Sequence, residues 1–415
     1  MSSPKRQATS VSTSSSSSSV AISKTPSNAT SYDGYKAPAL VPKSIILGFG
    51  TMLFALAMIW PPLILLVTMI ASILIPYSYR INDDGATRRR LMQHFMEHDP
   101  IAVQRRKDFP SDQVELTTSW WRNPRGMLQH VNILVPKNQE EVKAVICYCH
   151  GYIDNPNFTK MPELGYLCQS GGVAIILVEY EGHGQSDGAL GLVADFDLLV
   201  HYAHLAFQHY LKDFPGKKAF LMGESMGGAV AFVMIQKYPL YAGVVFMCPM
   251  CKIADDMMPP DIVVQIFRQI AGPSGTATAL GYLPIAPAAD VEELAFKDPA
   301  KRKLQTRHPA IYSRMPRLAT AREMLDITKR ISESLSLFDA PFLVQHGLAD
   351  RVTDPKLSQA LYDEASSKDK SIKLYEGQWH ALAGEPIENV HQVYDDTIAW
   401  VLERADASQN SKKTK

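Results

Sequence analysis

The chain carries a serine enclosed by glycines in the stretch Gly223-Glu224-Ser225-Met226-Gly227-Gly228. This stretch follows the apolar run Lys218–Met222 and begins the helix-forming pattern Met226–Lys237. A serine at such a strand-to-helix turn adopts a strained backbone that exposes its hydroxyl, and side chains in place of the flanking glycines would collide. The amino terminus of the following helix also stabilises nearby negative charge. The pattern therefore predicts that Ser225 is a nucleophile.

Short apolar runs alternate with longer helical patterns on both sides of this serine. The runs are Val131–Val135, Ala144–Cys149, Val173–Glu179, Lys218–Met222, Gly243–Cys248, Pro341–Gln345 and Ile372–Tyr375. The helical patterns cover Ala194–Lys212, Met226–Lys237 and Val390–Arg404. Nearly continuous apolar runs are typical of strands covered on both faces, so we predict an α/β protein with a mostly parallel, doubly wound sheet. Functional residues of such sheets lie beyond the carboxyl ends of the strands.

Two downstream strand ends supply the partners that a serine nucleophile needs. A serine hydroxyl reacts only when an adjacent base takes its proton. The run Pro341–Gln345 leads into Asp350, and the run Ile372–Tyr375 leads into His380. The chain order serine, acid, histidine is the order expected for this strand–turn–helix arrangement. We predict that His380 is the general base and that Asp350 orients it.

Two backbone amides are candidates for binding the negative oxygen that forms during attack. One is the amide of Met226, directly after the nucleophile, and the other belongs to an earlier strand-end loop. The run Ala144–Cys149 ends in His150-Gly151-Tyr152, so the amide of Tyr152 is the second candidate.

Three further polar residues near these motifs have structural interpretations. His150 precedes the nucleophile in the chain, and we predict that it shapes the loop that carries Tyr152. His183 and Asp187 lie in the glycine-rich segment Gly182–Gly188. We predict that they fix this turn rather than transfer protons.

The amino-terminal part of the chain differs in composition from the rest. Residues 1–43 are rich in serine, threonine and proline, and we predict a disordered tail. Ser44–Ile75 then provides 32 residues without a charged side chain, more than the roughly 20 that a bilayer span needs. Pro61-Pro62 interrupts this segment, so both a single kinked span and a hairpin remain open.

Flanking charges suggest an orientation for this segment. Lys36 and Lys43 precede it, and a heavier cluster formed by Arg80 and Arg88–Arg90 follows. We expect a membrane-associated protein, at the endoplasmic reticulum or lipid droplets. Because positive charge favours the cytosolic side, we expect its catalytic domain to be cytosolic.

Five cysteines, an odd number, indicate free thiols rather than a disulfide framework.

Composition also divides the remainder of the chain. We predict a linker or helical lead-in at 76–113, an enzyme domain at 114–404 and a disordered basic tail at 405–415. Within the domain, about 252–317 interrupts the strand–helix alternation, and we predict a helical cap there. Its methionines and aliphatic residues either line an acyl-chain pocket or pack on the core.

Charge and ligand spacing argue against other classes of function. Lysine plus arginine equal aspartate plus glutamate at 42 each, so nothing favours a nucleic-acid partner. No spacing of cysteine and histidine suits a zinc site, and we predict neither a metal nor a cofactor.

Several motifs together resemble the monoacylglycerol lipase family, and in particular its plant-type branch with caffeoylshikimate esterase and lysophospholipase-like members. They are His150-Gly151-Tyr152, Gly182–Gly188, Gly223–Gly228, Cys248–Met257, His346–Pro355, Ala365–Lys370 and Trp379-His380. The similarity runs from about Val114 to Glu403, and the amino-terminal apolar segment lies outside it. The resemblance implies an α/β-hydrolase fold with a helical cap, cleavage of one acyl chain from glycerol, and no cofactor. It implies the same catalytic roles for Ser225, Asp350 and His380, with Tyr152 and Met226 as oxyanion amides.

We therefore expect a serine hydrolase of single-chain lipid esters, with monoacylglycerol as the first candidate, acting at a membrane or lipid-droplet surface. Three alternatives stay open. They are a lysophospholipase or acyltransferase, an esterase for phenolic esters such as caffeoylshikimate, and a lipid-binding protein built on a hydrolase scaffold. The sequence does not indicate an oligomeric state.

Overall fold

The computed structural model describes residues 85–138, 142–251, 261–275, 281–286, 291–307, 312 and 315–413. The predicted tail at 1–43 and the predicted membrane segment at 44–75 lie outside these residues. Among the helices of the described ranges, none combines the length and the apolar character that crossing a bilayer requires.

An eight-stranded sheet lies at the centre of the described chain. Its strands are β1 (Val114–Arg122), β2 (Leu128–Pro136), β3 (Ala144–Cys149), β4 (Val173–Val178), β5 (Lys218–Glu224), β6 (Tyr241–Met247), β7 (Phe342–Gly347) and β8 (Lys370–Tyr375). Their order in space is β1-β2-β4-β3-β5-β6-β7-β8. Strand β2 pairs antiparallel with β1 and β4, and all other neighbours are parallel. All seven predicted strands are present, and the mostly parallel sheet is confirmed.

The edge strand β1 is absent from the sequence prediction. Its sequence VELTTSWWR is no continuous apolar run, and most of its side chains are half-buried or exposed. It forms a hairpin with β2 that pairs from Val114↔Pro136 to Arg122↔Leu128. An edge strand needs little apolar surface, which is why a search for buried runs overlooks it.

Helices cover both faces of the sheet. They are α1 (Ala86–His98), α2 (Pro100–Asp108), α3 (Pro156–Thr159), α4 (Met161–Gly171), α5 (Phe196–Tyr210), α6 (Met226–Lys237), α7 (Asp261–Ala271), α8 (Val291–Ala295), α9 (Pro299–Arg307), α10 (Leu318–Ser334), α11 (Pro355–Glu364) and α12 (Ile387–Lys413). Alternate residues of β3 enter two separate cores. Cys147 and Cys149 face the core that holds α5 and α6, whereas Tyr148 faces the core that holds α4 and α12.

The chain between β6 and β7 departs from the strand–helix alternation, where the sequence predicts a cap. Its described parts include α7, α8 and α9, followed by α10, which contacts α5, α6 and α7. At the other end, α12 continues to Lys413. The predicted disordered tail at 405–415 is therefore mostly helical, because the preceding helix is extended through residues such as Ala405 and Lys413 that tolerate helix well.

The described part of the predicted linker or helical lead-in, residues 85–113, contains the helices α1 and α2, and α1 is fastened to the enzyme domain. The buried guanidinium of Arg88 donates to the carbonyls of Gly184, Ser186 and Gly188. Arg89 forms an ion pair with Asp187 at 2.8 Å. Two arginines that the sequence analysis interprets as membrane-flanking charges thus hold α1 on the glycine-rich turn.

Candidate active site

Ser225 lies at the turn between β5 and α6, as predicted. Its φ of 54° and ψ of −120° place a non-glycine residue in a strained region of backbone space. Its amide donates to the Met247 carbonyl at 3.0 Å, and its own carbonyl accepts from Met250 at 2.9 Å. The partly exposed hydroxyl makes no hydrogen bond within the described part of the chain, so it is available to a substrate.

Two glycines of the turn are required by close backbone contacts. A Cβ on Gly227 would lie 1.9 Å from the Cys149 carbonyl oxygen, and one on Gly223 would lie 2.4 Å from the Gly227 carbonyl oxygen. Both distances are far inside van der Waals contact, and both neighbours are backbone atoms. The glycines therefore let β3, the serine turn and α6 meet at one point.

We expect Gly227→Ala to lower the free energy of unfolding by at least about 3 kcal/mol, because the backbone of β3 cannot move away without breaking the sheet. Urea unfolding measures this loss. Gly216→Ala is the matched control: its Cβ meets no atom within 4 Å, and only the left-handed φ of 76° opposes it, at about 1–2 kcal/mol. Equal losses in the two variants would contradict the steric explanation.

Asp350 and His380 form the second part of the predicted site. Nδ1 of His380 lies 2.7 Å from Oδ2 of Asp350, and both side chains are buried. The other carboxylate oxygen, Oδ1, accepts from the amides of Val352 and Thr353 at 2.7 and 3.0 Å. The Thr353 hydroxyl donates to Oδ2 at 2.8 Å. An ionised carboxylate accepts only, so Nδ1 of His380 is the donor and Nε2 keeps its lone pair.

A second histidine supports this carboxylate, and the sequence analysis missed it. Nε2 of His346 lies 2.9 Å from Oδ2 of Asp350, while Nδ1 lies 2.7 Å from the Ser358 hydroxyl. Burial would raise the pKa of Asp350, but the charge of His380 and hydrogen bonds from His346 and His380 outweigh it and hold that pKa well below its usual value. His346 is the last but one residue of β7, and its distance of four positions from Asp350 was the available signal.

The loop after β6 connects the serine turn to this pair. Ser225 bonds to Met247 and Met250, which lie on either side of Cys248. The sulfur of Cys248, a carboxylate oxygen of Asp350 and a ring nitrogen of His380 lie within 4.8 Å of one another. Burial and then the charge of Asp350 raise the pKa of the Cys248 thiol, which therefore stays neutral. The loop after β6 thus bonds to the backbone of Ser225 and, through Cys248, lies close to the Asp350–His380 pair.

Cys248, Asp350 and His380 are also the one group of described residues with the spacing of metal ligands. Two ligands of a tetrahedral zinc ion lie about 3.3 Å apart, given metal–ligand bonds near 2.0 Å. The 2.7 Å hydrogen bond between Asp350 and His380 is shorter than that separation. The geometry fits proton transfer better than metal binding.

The two predicted oxyanion amides belong to residues beside the serine turn and have no hydrogen-bond acceptor among the described residues. Met226 is the first residue of α6, so its amide has no acceptor within the helix. Neither this amide nor that of Tyr152 donates a hydrogen bond within the described chain. A Cβ on Gly151 would lie 3.5 Å from Cβ of Ser225, which places the Tyr152 loop against the nucleophile. The Tyr152 hydroxyl anchors that loop by donating to the Gly191 carbonyl at 2.8 Å.

His150, His183 and Asp187, for which the sequence predicts structural roles, each bond to nearby backbone groups. Nδ1 of His150 lies 2.8 Å from the Gly151 carbonyl, and Nε2 accepts from the Tyr180 amide at 3.1 Å. Burial lowers the pKa of His150 to about 4 and, with His150 nearby, lowers that of His183 to about 3, so both are neutral. Asp187 accepts from the Leu128 amide at 2.9 Å in addition to Arg89.

Comparison with known proteins finds a matching family and related proteins. The family model described as serine aminopeptidase, S33 matches residues 140–387. Caffeoylshikimate esterase of Arabidopsis thaliana is 32% identical over 304 residues, which cover 71% of this chain and 88% of that protein. Monoglyceride lipase of Homo sapiens is 27% identical over 263 residues, which cover 63% of this chain and 83% of that protein.

Two solved structures share the fold. A soluble variant of monoglyceride lipase from Saccharomyces cerevisiae, in complex with a substrate analog, superimposes with a TM-score of 0.58 at 18% identity, covering 71% of this chain and 97% of that one. Monoacylglycerol lipase of Paleococcus ferrophilus superimposes with a TM-score of 0.53 at 21% identity, covering 63% and 94%. At these identities the likeness concerns the fold.

Proposed function

Because the chain belongs to the serine aminopeptidase, S33 family and has the α/β-hydrolase fold, we propose that it hydrolyses monoacylglycerol through a triad of Ser225, His380 and Asp350. That it is a serine ester hydrolase follows from the family and from its esterase and lipase relatives. One observation carries the assignment of the site. Ser225 sits in a strained turn, and neither its hydroxyl nor the two nearby amides have a hydrogen-bond partner in the part of the chain that the structure describes.

The proposed reaction has two steps. Nε2 of His380 takes the proton of the Ser225 hydroxyl while the oxygen attacks the ester carbonyl. The amides of Tyr152 and Met226 bind the oxyanion, and each such donor is typically worth about 3 kcal/mol of the barrier. His380 then protonates the departing glycerol oxygen, which leaves an acyl ester on Ser225. Water repeats the sequence, releases the fatty acid and restores the serine.

Asp350 keeps His380 in the tautomer that this reaction requires. Its depressed pKa means that it stays ionised at neutral pH and accepts the Nδ1 proton of His380. The same negative charge stabilises the imidazolium that forms when Ser225 is deprotonated.

The monoacylglycerol substrate is supported by several relatives. Monoglyceride or monoacylglycerol lipases of mammals and of Mycolicibacterium smegmatis are 24–27% identical to this chain over about 63% of its length. The test is turnover of a 1-acylglycerol series by the purified protein, with glycerol and fatty acid as measured products. Turnover of lysophospholipid at a higher kcat/KM than any monoacylglycerol would overturn the substrate proposal. Acyl transfer to added alcohol as the main outcome would overturn hydrolysis.

A phenolic ester is the second candidate substrate, because the relative at 32% identity is a caffeoylshikimate esterase. Competition between caffeoylshikimate and 1-oleoylglycerol in one reaction compares the two kcat/KM values directly. A ratio above one for the phenolic ester establishes this second candidate. A ratio below one supports the lipid.

We also propose that the apolar segment Ser44–Ile75 attaches the enzyme to a membrane or lipid-droplet surface, as its lack of charged residues suggests. The full chain is expected to sediment with membranes, whereas a variant that begins at Gly85 stays in the supernatant and keeps its kcat on a soluble ester. This start point retains Arg88 and Arg89, which hold α1 on the domain. A full chain that remains in the supernatant would contradict attachment.

A further inference from the structure

A buried lysine lies between the loop that carries Tyr152 and the turn that carries Ser225. Lys160, at the start of α4, is 2% exposed. Its ammonium group donates to Oδ2 of Asp154 at 2.7 Å and to Oε2 of Glu224 at 2.5 Å. Burial would lower the pKa of Lys160, but the charges of Asp154 and Glu224 outweigh it and raise that pKa above its usual value. Lys160 is therefore a charged group enclosed by protein.

Its two acceptors belong to the two segments that carry the oxyanion amides. Asp154 lies two residues after Tyr152, and its amide donates to the Gly151 carbonyl at 3.3 Å, which closes the loop into a turn. Glu224 is the residue directly before Ser225 and two before Met226. The Tyr148 hydroxyl, near the end of β3, donates to the same Glu224 oxygen at 2.6 Å. Lys160 thus joins both amide-bearing segments through one ammonium group.

Charge balance gives Lys160 a second effect. Asp154 and Glu224 are buried carboxylates in the two segments whose amides are proposed to bind the negative oxygen of the tetrahedral intermediate. Two unpaired negative charges there would oppose that oxygen, and a buried unpaired carboxylate is itself strongly unfavourable. The ammonium group lies within hydrogen-bond distance of both and neutralises one unit of this charge.

We propose that Lys160 is a positioning residue, which holds the Tyr152 and Met226 amides at the separation that the oxyanion requires. The proposal rests on the oxyanion role given to these amides under the proposed function. Lys160 does not touch the substrate and acts through Asp154 and Glu224. Misplacing the amides removes an interaction that exists mainly in the transition state, so kcat falls while KM changes little.

The test compares Lys160→Met, which keeps the volume and removes the charge, with Lys160→Arg. On a short, soluble p-nitrophenyl ester we expect Lys160→Met to lower kcat about 10²-fold to 10³-fold, as loss of an oxyanion donor does, with KM within about twofold. A trifluoromethyl ketone, which forms a tetrahedral adduct with the serine, should bind more weakly by a similar factor. Lys160→Arg should recover at least tenfold in kcat over Lys160→Met, because a guanidinium reaches both carboxylates.

Lys218→Met is the control for loss of a packed lysine, since this residue bonds to the Arg404 carbonyl at the opposite end of β5. It should leave kcat and inhibitor binding unchanged. If Lys160→Met does not fold, Asp154→Asn replaces it, keeps the shape of the loop and is expected to lower kcat about tenfold.

Three results would overturn the proposal. They are a native kcat in Lys160→Met, a loss of kcat without weaker inhibitor binding, and no recovery in Lys160→Arg. Failure of the proposed function is recognised separately, because Ser225→Ala would then keep its turnover whatever the Lys160 variants do.

Discussion

Ser225→Ala is expected to lower kcat by about 10⁶, the size of loss that removal of a serine nucleophile or its base produces in other serine hydrolases. The alanine variant keeps the oxyanion amides and the His380–Asp350 pair but offers no oxygen to form the acyl ester. Residual catalysis of about 10³–10⁴ over water should remain from the amides and substrate binding. Steady-state turnover of a monoacylglycerol and labelling by a fluorophosphonate probe measure the two consequences.

The labelling experiment also separates an enzyme from a lipid-binding protein on a hydrolase scaffold. An intact site should label in the native protein and in the control Ser332→Ala, whose hydroxyl is exposed and bonds to the Lys329 carbonyl. Turnover by Ser225→Ala above one part in a hundred of native would contradict the assignment. Absence of labelling and turnover in the native protein would favour the binding role.

The strained backbone at Ser225 predicts that a glycine variant is more stable than an alanine variant, although both are inactive. Ser225 has a φ of 54°, a region that glycine adopts freely and other residues adopt at a cost of about 1–3 kcal/mol. Ser225→Gly should therefore be inactive yet unfold at higher urea concentration than Ser225→Ala. Such a trade of stability for activity is characteristic of functional positions.

The sequence predicted the centre of this fold because the central strands are covered on both faces. Strands such as β3 and β4 are buried throughout, and their apolar runs have no other explanation. The edge strand β1 has no such run, and its pairing with β2 is recognised only in the assembled sheet. The segment between β6 and β7 interrupts the alternation of strands and helices, so the sequence indicates an insertion without its internal boundaries.

The residues of the proposed triad could be named from motifs and chain order, but the residues that contact them could not. The contact between Lys160 and Glu224 joins positions 64 apart, and it exists because β3 and β5 are neighbours in the sheet. Nothing in the local sequence around Lys160 distinguishes it from a surface lysine. Likewise, Cys248 comes close to Asp350 and His380 only because β6 and β7 end side by side. Side-chain networks of this kind follow from sheet order and register.

Asp350→Asn is the second change with a large expected effect, a loss of about 10⁴ in kcat. The amide of asparagine must present either its NH₂ group or its oxygen to two imidazoles, His380 and His346. If the NH₂ group donates to Nδ1 of His380, the ring proton moves to Nε2. Nε2 then has no lone pair to accept the proton of the Ser225 hydroxyl. KM should change little, because Asp350 is buried behind His380 and lies away from the substrate. Measurement of kcat and KM beside the exposed control Asp363→Asn tests this.

The pH dependence gives an independent check on the same carboxylate. Because the folded-state pKa of Asp350 is depressed, its contribution to stability is present above the unfolded-state value of about 3.9 and is lost as pH falls through the lower folded-state value. Between pH 5 and 9 Asp350 does not titrate, so its carboxylate stays ionised throughout this range. Native protein should lose stability below about pH 4 more steeply than Asp350→Asn, in which this group cannot take up a proton. Parallel curves of stability against pH for the two proteins would contradict this role of Asp350. More than a tenth of native kcat in Asp350→Asn would likewise show that Asp350 is not the group that orients His380.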